Sequence, residues 1–478
     1  MADTDLKEPV GENVAAPVAD DPLVNAVYDE EGYVRADFLA YLAGFMELGD
    51  AEGLREAIAP LHASELGDVL EALEPEDRKH LVELAGPEFD MAALTEVDEA
   101  VRLGVIEALP NARIAEAVQD LNSDDAVYIL EDLEEADQEE ILSALPFEER
   151  LRLRRSLDYP EESAGRRMAT EFIAVPPFWS VGQTIDYMRE DQNLPDRFHE
   201  IFVVSPHFEL LGSVALDQIL RTGRKASIES IMGETRHSIP AEMDQEEAAR
   251  LFEQYDLLSA AVVDDAKRLV GVLTIDDVVD VIHEEADEDI KRLAGVGDEE
   301  LSDTVWQIAQ GRFLWLFINL ITAVLASLVI GLFDATIQQM VALAVLMPIV
   351  ASMGGNAGTQ TMTVAVRALA TRDIDTYNAR RIVMRELLVG IFNGLVFAVI
   401  IGIVAALWFS NNQLGMIIAA AMVFNMIAAA LAGILIPIVL NLMKIDPAIA
   451  SSVFVTTVTD VVGFFAFLGL AAWWFGLM

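Results

Sequence analysis

Asp460, near the middle of the last long apolar stretch, is the residue best placed to do chemistry. It lies in the run Thr456-Thr-Val-Thr-Asp-Val-Val-Gly463. A carboxylate inside hydrocarbon is costly, so it should face water or a partner. Thr456 and Thr457 precede it by four and three residues, which puts hydroxyls beside the acid on one helix face. Such oxygens suit a hard, partly hydrated cation. A protonated aspartate bonded to a neighbouring helix and a proton relay are the alternatives.

A second polar cluster interrupts an earlier apolar stretch, where Pro348 is followed by Met353-Gly-Gly-Asn-Ala-Gly-Thr-Gln360. Glycines and amides at membrane depth either line a cavity or let helices pack closely, and both interpretations stay open. The candidate pore-lining residues are Gly354, Gly355, Asn356 and Gln360, and the two amides favour a pore. Isolated polar or kinking residues further on, Asn425 and Pro437, are better explained by packing or a helix kink.

The net negative charge of the chain lies in its first 311 residues. After residue 311 there are seven Lys/Arg and six Asp/Glu, which leaves 24 and 73 in residues 1–311. The pattern is typical of an acidic soluble module joined to a membrane module. It argues against nucleic acid as a partner, because phosphate binding needs clustered basic residues. There is no cysteine, so disulfides and thiolate metal sites are excluded.

Five apolar stretches after Arg312 are long enough to cross a bilayer. They are Phe313–Phe333, Ile337–Val366, Leu387–Phe409, Leu414–Leu442 and Ala448–Phe475. The second connector, 367–386, holds five arginines, whereas the first and third hold no basic residue. The positive-inside rule therefore predicts a cytoplasmic N-terminus and an external C-terminus in an inner or plasma membrane. No signal peptide precedes the acidic half, so that half should stay in the cytoplasm.

The acidic half shows two kinds of internal repeat. Leucines recur every twelve residues from Leu109 to Leu157, several of them followed by turn residues, which predicts stacked short helices in a superhelix. Beyond residue 165, two copies of a β-α-β-β-α order follow each other. The predicted segments are a disordered acidic tail (1–34), an all-α superhelix (35–162), two α/β repeats (163–235 and 236–274), an acidic connecting helix (275–311) and a five-span α-helical membrane domain (312–478).

The connecting helix begins at Ile275 and carries apolar residues on one side and many acids elsewhere. Crowded carboxylates repel one another unless a cation neutralises them. A divalent ion bound here would hold the soluble parts together, and its loss would loosen them. A solvated acidic helix without a ligand is the alternative.

This ordered set of features resembles the MgtE family of magnesium channels and transporters. The most specific stretches are Glu162-Ser-Ala-Gly165, Gly354 through Asp373, and Thr459-Asp460 with Gly463. The resemblance identifies the α/β repeats as a tandem CBS pair and the acidic helix as a plug. It implies a homodimer whose ten spans enclose a central pore, with hydrated Mg²⁺ bound at Asp460. Some members bind ATP at the CBS pair, so ATP is a further candidate ligand.

The resemblance also implies cytosolic magnesium-sensing carboxylates. In the second CBS copy they match Asp244, Glu246 and Asp256. On the plug helix they match Asp277, Asp280, Glu285, Glu288 and Asp289, and in the superhelix Asp124 or Asp125. One departure concerns gating or ion preference, because Ser451-Ser452 replaces the Asn-Pro that the family often has before the last pore helix.

The expected function is therefore a magnesium-gated channel that imports Mg²⁺ down its electrochemical gradient. A proton- or sodium-coupled carrier and a membrane sensor that transports nothing are the rivals. A membrane enzyme is remote, because the spans hold no histidine, no cysteine and no paired acids for acid–base chemistry.

Overall fold

The structure is a computed structural model that describes residues 27–191, 194–195, 197–233, 237–296, 305–374 and 377–476. The chain divides into two units, Met1–Ile282 and His283–Met478, and each is described by itself. The predicted tail lies outside the described residues up to position 26. Its last part is ordered, contrary to the prediction: Val27 is buried and the Tyr28 hydroxyl donates to Asp68. The reason is a turn in which the Asp29 carboxylate accepts from two backbone N–H groups, so that Tyr28 and Val34 pair.

The first unit opens with an array of short helices around one apolar core. The twelve-residue leucine spacing marks the ends of the helices, since Leu121 and Leu145 adopt extended backbone angles directly after helices. Each helix thus stops after about three turns, and its apolar face is covered by its neighbours. The predicted array is confirmed. The helices are α1 (Ala36–Leu48), α2 (Ala51–Ile58), α3 (Ala63–Ala72), α4 (Pro75–Ala85), α5 (Glu99–Ile106), α6 (Asn111–Asp120), α7 (Ser123–Glu131), α8 (Glu135–Ala144), α9 (Phe147–Leu157) and α10 (Ala164–Arg167).

Two copies of a three-stranded sheet follow, in the predicted order. The first copy is β1 (Ala174–Val175), α11 (Val181–Glu190), β2 (Glu200–Val204), β3 (Leu210–Ala215) and α12 (Leu216–Arg221). The second is β4 (Ile239–Pro240), α13 (Gln245–Tyr255), β5 (Ser259–Val263) and β6 (Leu269–Thr274), followed by α14 (Ile275–Ala294).

The two copies have the same sheet topology. In each, the first strand pairs in parallel with the second, and the second pairs antiparallel with the third. A register shift falls at the same place in both, at Val203/Val204 and at Val262/Val263. Apolar residues from both sheets, including Phe202 and Leu269, form one shared cluster. The repeat predicted from sequence is therefore confirmed in its element order, and the structure adds that the two copies share the same register shift.

Helix α14 begins in the first unit and ends in the second. It stops at Ala294, where Gly295 adopts a φ of +72°, a conformation that suits glycine and ends helices. The predicted connecting helix of 275–311 is therefore too long. Residues 297–304 lie outside the described part of the chain, and the next helix begins at Val305.

The second unit contains five described helices that are long and apolar enough to cross a membrane, as predicted. They are α15 (Val305–Gly331), α17 (Ala342–Ala370), α18 (Ala379–Trp408), α19 (Asn412–Leu442) and α20 (Pro447–Phe475), with the short α16 (Asp334–Gln339) between the first two. Helix α18 starts eight residues earlier than predicted. Its first two turns hold Arg380, Arg381 and Arg385, whose charges end the apolar stretch in the sequence but whose long side chains can reach the interface.

Helix α19 lies at the centre of this unit and packs against α17, α18 and α20. Small residues make the close approach possible. A Cβ on Gly390 of α18 would lie 2.6 Å from the Cβ of Ala430, and one on Gly433 would lie 2.7 Å from the Gly358 carbonyl. There is no hydrophobic driving force for association between helices in lipid, so close packing of this kind is a main source of the stability of the helix bundle.

Candidate functional site

Asp460 lies on a half-exposed face of α20. Its carboxylate forms no hydrogen bond and no ion pair with any described residue. Thr456 is exposed one turn earlier, and Thr457 beside it is half-buried. Their hydroxyls donate to the Ser452 and Val453 carbonyls at 2.9 and 2.6 Å, so the hydroxyl oxygens can still accept or coordinate. The predicted grouping of one carboxylate and two hydroxyls is thus present on one helix face.

The flank of α20 next to Asp460 is packed against its neighbours. Thr459 is fully buried, and its hydroxyl donates to the Thr456 carbonyl at 3.0 Å. Gly463 lies so close to α19 that an added Cβ would be 2.8 Å from the Asn425 amide nitrogen. Tight packing directly beside Asp460 therefore fixes the position of this part of α20.

Helix α17 presents a polar stripe on its exposed side. Ser352, Asn356 and Gln360 follow one another at four-residue spacing, and all three are exposed. Thr359 and Thr363 extend the same side. The two amides were predicted from the sequence, whereas the serine and the threonines were not, although their helical spacing from Asn356 places them on the same side. An exposed polar stripe in a membrane helix needs water or protein beside it.

The predicted glycines differ in role, because one packs against a neighbouring helix and another lies beside the exposed polar stripe. Helix α17 continues unbroken through Pro348, so the glycines do not interrupt the backbone. Gly354 packs against α19, where an added Cβ would lie 2.1 Å from the Asn425 amide nitrogen. Gly355 has no neighbour within 4 Å of such a Cβ. Gly354 therefore serves helix packing in this chain, whereas Gly355 is next to the exposed stripe.

Asn425 is fully buried where α17, α19 and α20 meet. Its amide donates to the Val350 carbonyl at 2.8 Å, which supports the packing role expected from the sequence. The side-chain oxygen Oδ1 has no partner among the described residues.

An acidic cluster lies within the first unit, between α7 and the start of α14. Burial raises the pKa of Asp124 well above its usual range, and the nearby Asp277 raises it further. Burial and Glu96 raise the pKa of Asp125 to about 6. Burial also raises the pKa of Asp277 to about 7, although a hydrogen bond from Thr274 opposes the shift. Asp124 and Asp277, which were predicted on different segments, are thus close enough for their charges to interact.

No cation within the described chain balances this cluster by a direct ion pair to Asp124, Asp125 or Asp277. The Asp124 Oδ1 atom is buried and has no hydrogen-bond partner among the described residues. The described part of the chain contains no group of three His, Cys, Asp or Glu in a geometry ready to hold a metal. The cluster therefore offers carboxylate oxygens to a cation, but not a closed coordination shell.

Of the three acids predicted in the second CBS copy, Asp244 and Glu246 lie at the start of α13 and Asp256 lies at its end. Asp244 caps the N-terminus of α13 and accepts from the Glu246 and Glu247 N–H groups. Glu246 pairs with Arg250 at 3.7 Å. Asp256 ends the same helix with a φ of +52°. Since an eleven-residue helix is about 16 Å long, Asp244 and Asp256 cannot bind one ion within a single chain.

The acids at the end of α14 belong to the second unit and lie near the start of α20. Arg292 forms ion pairs with Glu288 and with Asp446, the latter at 2.6 Å. Burial raises the pKa of Asp289, and Asp446 adds to the effect. Asp446 caps α20 by accepting from the Ala448 N–H at 2.8 Å. Asp446 was not predicted from the sequence as a site residue, although an acid directly before Pro447 is a helix-start signal.

Comparison with known proteins places these features in context. The family model MgtE, described as a divalent cation transporter, matches residues 347–470. The MgtE intracellular N domain matches residues 61–162, and the CBS domain matches residues 228–284.

Two relatives are similar over most of their length. The magnesium transporter MgtE of Bacillus subtilis (strain 168) is 30% identical over 377 residues, which cover 79% of this chain and 84% of that protein. The magnesium transporter MgtE of Enterococcus faecalis (strain ATCC 700802 / V583) is 30% identical over 444 residues, covering 92% and 98%. The crystal structure of the cytosolic domain of the Mg²⁺ channel MgtE in complex with ATP matches at a TM-score of 0.47 and 26% identity, covering 51% of this chain and 99% of that chain.

Proposed function

Because the chain belongs to the MgtE family of magnesium transporters, we propose that it carries Mg²⁺ across a cell membrane along a path bordered by α20 and α17. The family is one of transporters and not a class of enzymes. The observation that carries the proposal is the half-exposed Asp460 carboxylate, which has no partner among the described residues and lies beside two threonine hydroxyls inside a span. Mg²⁺ keeps several of its waters, so one carboxylate and a few hydroxyls suffice to bind it.

The same observation supports a homodimer. Lipid cannot solvate the Asp460 carboxylate or the amides of Asn356 and Gln360. A second copy of the membrane unit, placed with its α17 and α20 opposite the first, would enclose all of these groups around water. Ten spans would then surround one path, with two copies of Asp460 facing it.

Gating is proposed to act through α14. At high cytosolic Mg²⁺, ions would neutralise the acids that α7 and α14 bring together, including Asp124, Asp125 and Asp277. The far end of the helix is tied to the start of α20 by Arg292 and Asp446. Loss of the ions would restore repulsion at one end of α14 and so loosen the helix. The acids of the second CBS copy, and ATP at the CBS pair, stay predictions.

The driving force is proposed to be the membrane potential. An inside-negative potential of about 100 mV contributes roughly 2.3 kcal/mol per charge, or about 4.6 kcal/mol for a divalent cation. No phosphate-binding Gly-x-x-x-x-Gly-Lys motif occurs in the sequence, so a built-in ATPase is not part of the proposal. Sensing of cytosolic Mg²⁺ by the acidic half requires the N-terminus, and with it the arginine-rich 367–386 connector, on the cytoplasmic side.

The test is Mg²⁺ flux into proteoliposomes under an inside-negative potential, with wild type, Asp460→Asn and Asp334→Asn. Asp334 is an acid of the same unit that bonds Gln338 at the start of α16, so it is a matched control for charge. We expect flux in wild type and in Asp334→Asn, and at least a tenfold loss in Asp460→Asn. Dependence of the flux on a pH gradient would support the coupled carrier instead. Absence of flux from folded, inserted wild type would support the non-transporting sensor.

A further inference from the structure

A cavity of about 620 Å³ lies where α17 ends and α18 begins, and α19 closes its far side. Neither Asp460 nor any polar residue of the α17 stripe is among the residues that line it. Its inner wall is apolar and is formed by Val364, Ala365 and Ala368 of α17 with Ile434 of α19. Its outer rim carries Arg381 and Arg385 from the first two turns of α18. The rim also holds Asp373 and Glu386, so the cavity combines a charged mouth with an apolar interior.

Of the two arginines at the mouth, one forms an ion pair among the described residues and the other does not. Arg385 is bound to Glu386, with Nη2 to Oε1 at 3.1 Å. Asp373, the other acid of the rim, accepts a hydrogen bond from the Thr371 hydroxyl at 2.9 Å. Arg381 is exposed and has no ion pair or hydrogen bond within the described chain. The rim holds two arginines and two acids, and Arg381 is the arginine whose guanidinium is left without a partner in the part of the chain that the structure describes and can contact an anion.

The position of the cavity indicates the kind of anion. Arginines in the first turns of a membrane helix lie at the level of the lipid headgroups. The apolar wall continues from there along the last two turns of α17, toward the hydrocarbon. A ligand that matches both parts has a phosphate at one end and a hydrocarbon chain at the other, and the bilayer supplies it at high local concentration. Basic pockets between spans recognise anionic lipids in this way.

We propose that this cavity binds an anionic phospholipid, with Arg381 contacting the phosphate and the Val364–Ala368 wall contacting the first part of an acyl chain. A bound lipid would join the ends of α17 and α18. Binding would not require Mg²⁺ transport, because none of the cavity residues belongs to the proposed ion path.

The test is native mass spectrometry of the full chain in detergent, with phosphatidylglycerol and with phosphatidylcholine of the same chain length. Wild type should retain phosphatidylglycerol preferentially. Arg381→Gln should weaken that binding by about tenfold, the usual effect of one charge-assisted hydrogen bond. Arg380→Gln is the control, since Arg380 is the neighbouring arginine, also exposed, and does not line the cavity. It should bind as wild type does.

A second variant tests the apolar wall without touching the charge. Ala368→Phe fills the interior and should displace the lipid although Arg381 is intact. Helical circular dichroism and size-exclusion elution confirm that each variant is folded. Equal losses in Arg381→Gln and Arg380→Gln would overturn the proposal, because they would show only diffuse attraction to the connector. Binding of free glycerol phosphate as strong as that of phosphatidylglycerol would also overturn it, since the wall would then contribute nothing.

Discussion

The acidic cluster between α7 and α14 makes a quantitative prediction for Asp277→Asn. Asparagine keeps the side-chain oxygen that accepts from the Thr274 hydroxyl, and it removes only the charge. The pKa of Asp277 is raised from 3.8 to about 7, chiefly by burial. One pKa unit corresponds to about 1.4 kcal/mol, so the ionised carboxylate costs up to about 4 kcal/mol. Relaxation and sharing of charge with Asp125 should reduce this, and we expect about 2 kcal/mol.

The direction in which stability changes with pH follows from the raised pKa of Asp277. Between pH 3.8 and about 7 the folded protein holds a proton that the unfolded chain has lost. The stability of the α7–α14 contact therefore falls as the pH rises through this window, and it changes little above it. At pH 8 Asp277→Asn should be the more stable protein, and at pH 4 the difference should vanish.

The assay is amide hydrogen exchange of the full chain, read on peptides that cover α7 and the first two turns of α14. A gain of about 2 kcal/mol slows exchange through local opening by about thirtyfold. Millimolar Mg²⁺ should slow exchange in wild type, because a cation relieves the same repulsion, and should do so much less in Asp277→Asn. Asp287→Asn, an exposed acid of the same helix, is the control and should behave as wild type does.

Two results would refute this reasoning. Faster exchange in Asp277→Asn at pH 8 without Mg²⁺ would show that the ionised carboxylate stabilises the contact by itself. Equal protection by Mg²⁺ in wild type and variant would place the cation elsewhere.

Two further predictions concern packing and a buried ion pair. Gly354→Ala places a methyl group 2.1 Å from an amide nitrogen of α19 and should lower the stability of the membrane unit by about 1–3 kcal/mol. The methyl group of Gly355→Ala would meet nothing within 4 Å among the described residues, so this variant should be tolerated. Thermal unfolding in detergent compares the two, and an equally destabilised Gly355→Ala would contradict the packing assignment. Asp132→Ala leaves the buried Arg102 guanidinium without its carboxylate at 2.5 Å and should cost about 3–5 kcal/mol. Exchange of α5 and α7 measures the loss, and the same effect from the exposed Glu135→Ala would contradict it.

Features with a regular period were predictable from sequence. The leucines from Leu109 to Leu157 repeat because each helix and turn occupies one fixed length, and the repeat marks helix ends in the structure. The strand order of the CBS pair and the five spans follow from hydrophobic patterns of similar regularity. Where a pattern ends gradually the prediction was less accurate, as at the start of α18 and at the end of α14.

Contacts between distant segments were not predictable in the same way. Asp124 and Asp277 are 153 positions apart, and nothing in the local sequence of either shows that they face each other. Arg292 and Asp446 meet across a similar separation. A glycine's role also depends on its neighbours, since an added Cβ would meet Asn425 at Gly354 but would meet no described atom within 4 Å at Gly355. The packing of helices decides these roles, and it is set by the whole chain.

The two sets of acids can be separated by experiment because their surroundings differ. Asp460 lies in a span where its charge is useful only if an ion or water reaches it, whereas Asp277 lies in the first unit where its charge opposes a contact. Asp460→Asn should therefore abolish flux and leave the Mg²⁺-dependent protection of α7 unchanged. Asp277→Asn should weaken that protection and, if α14 gates the path, make flux less sensitive to internal Mg²⁺. A loss of both properties in either variant would mean that one ion site serves conduction and sensing together.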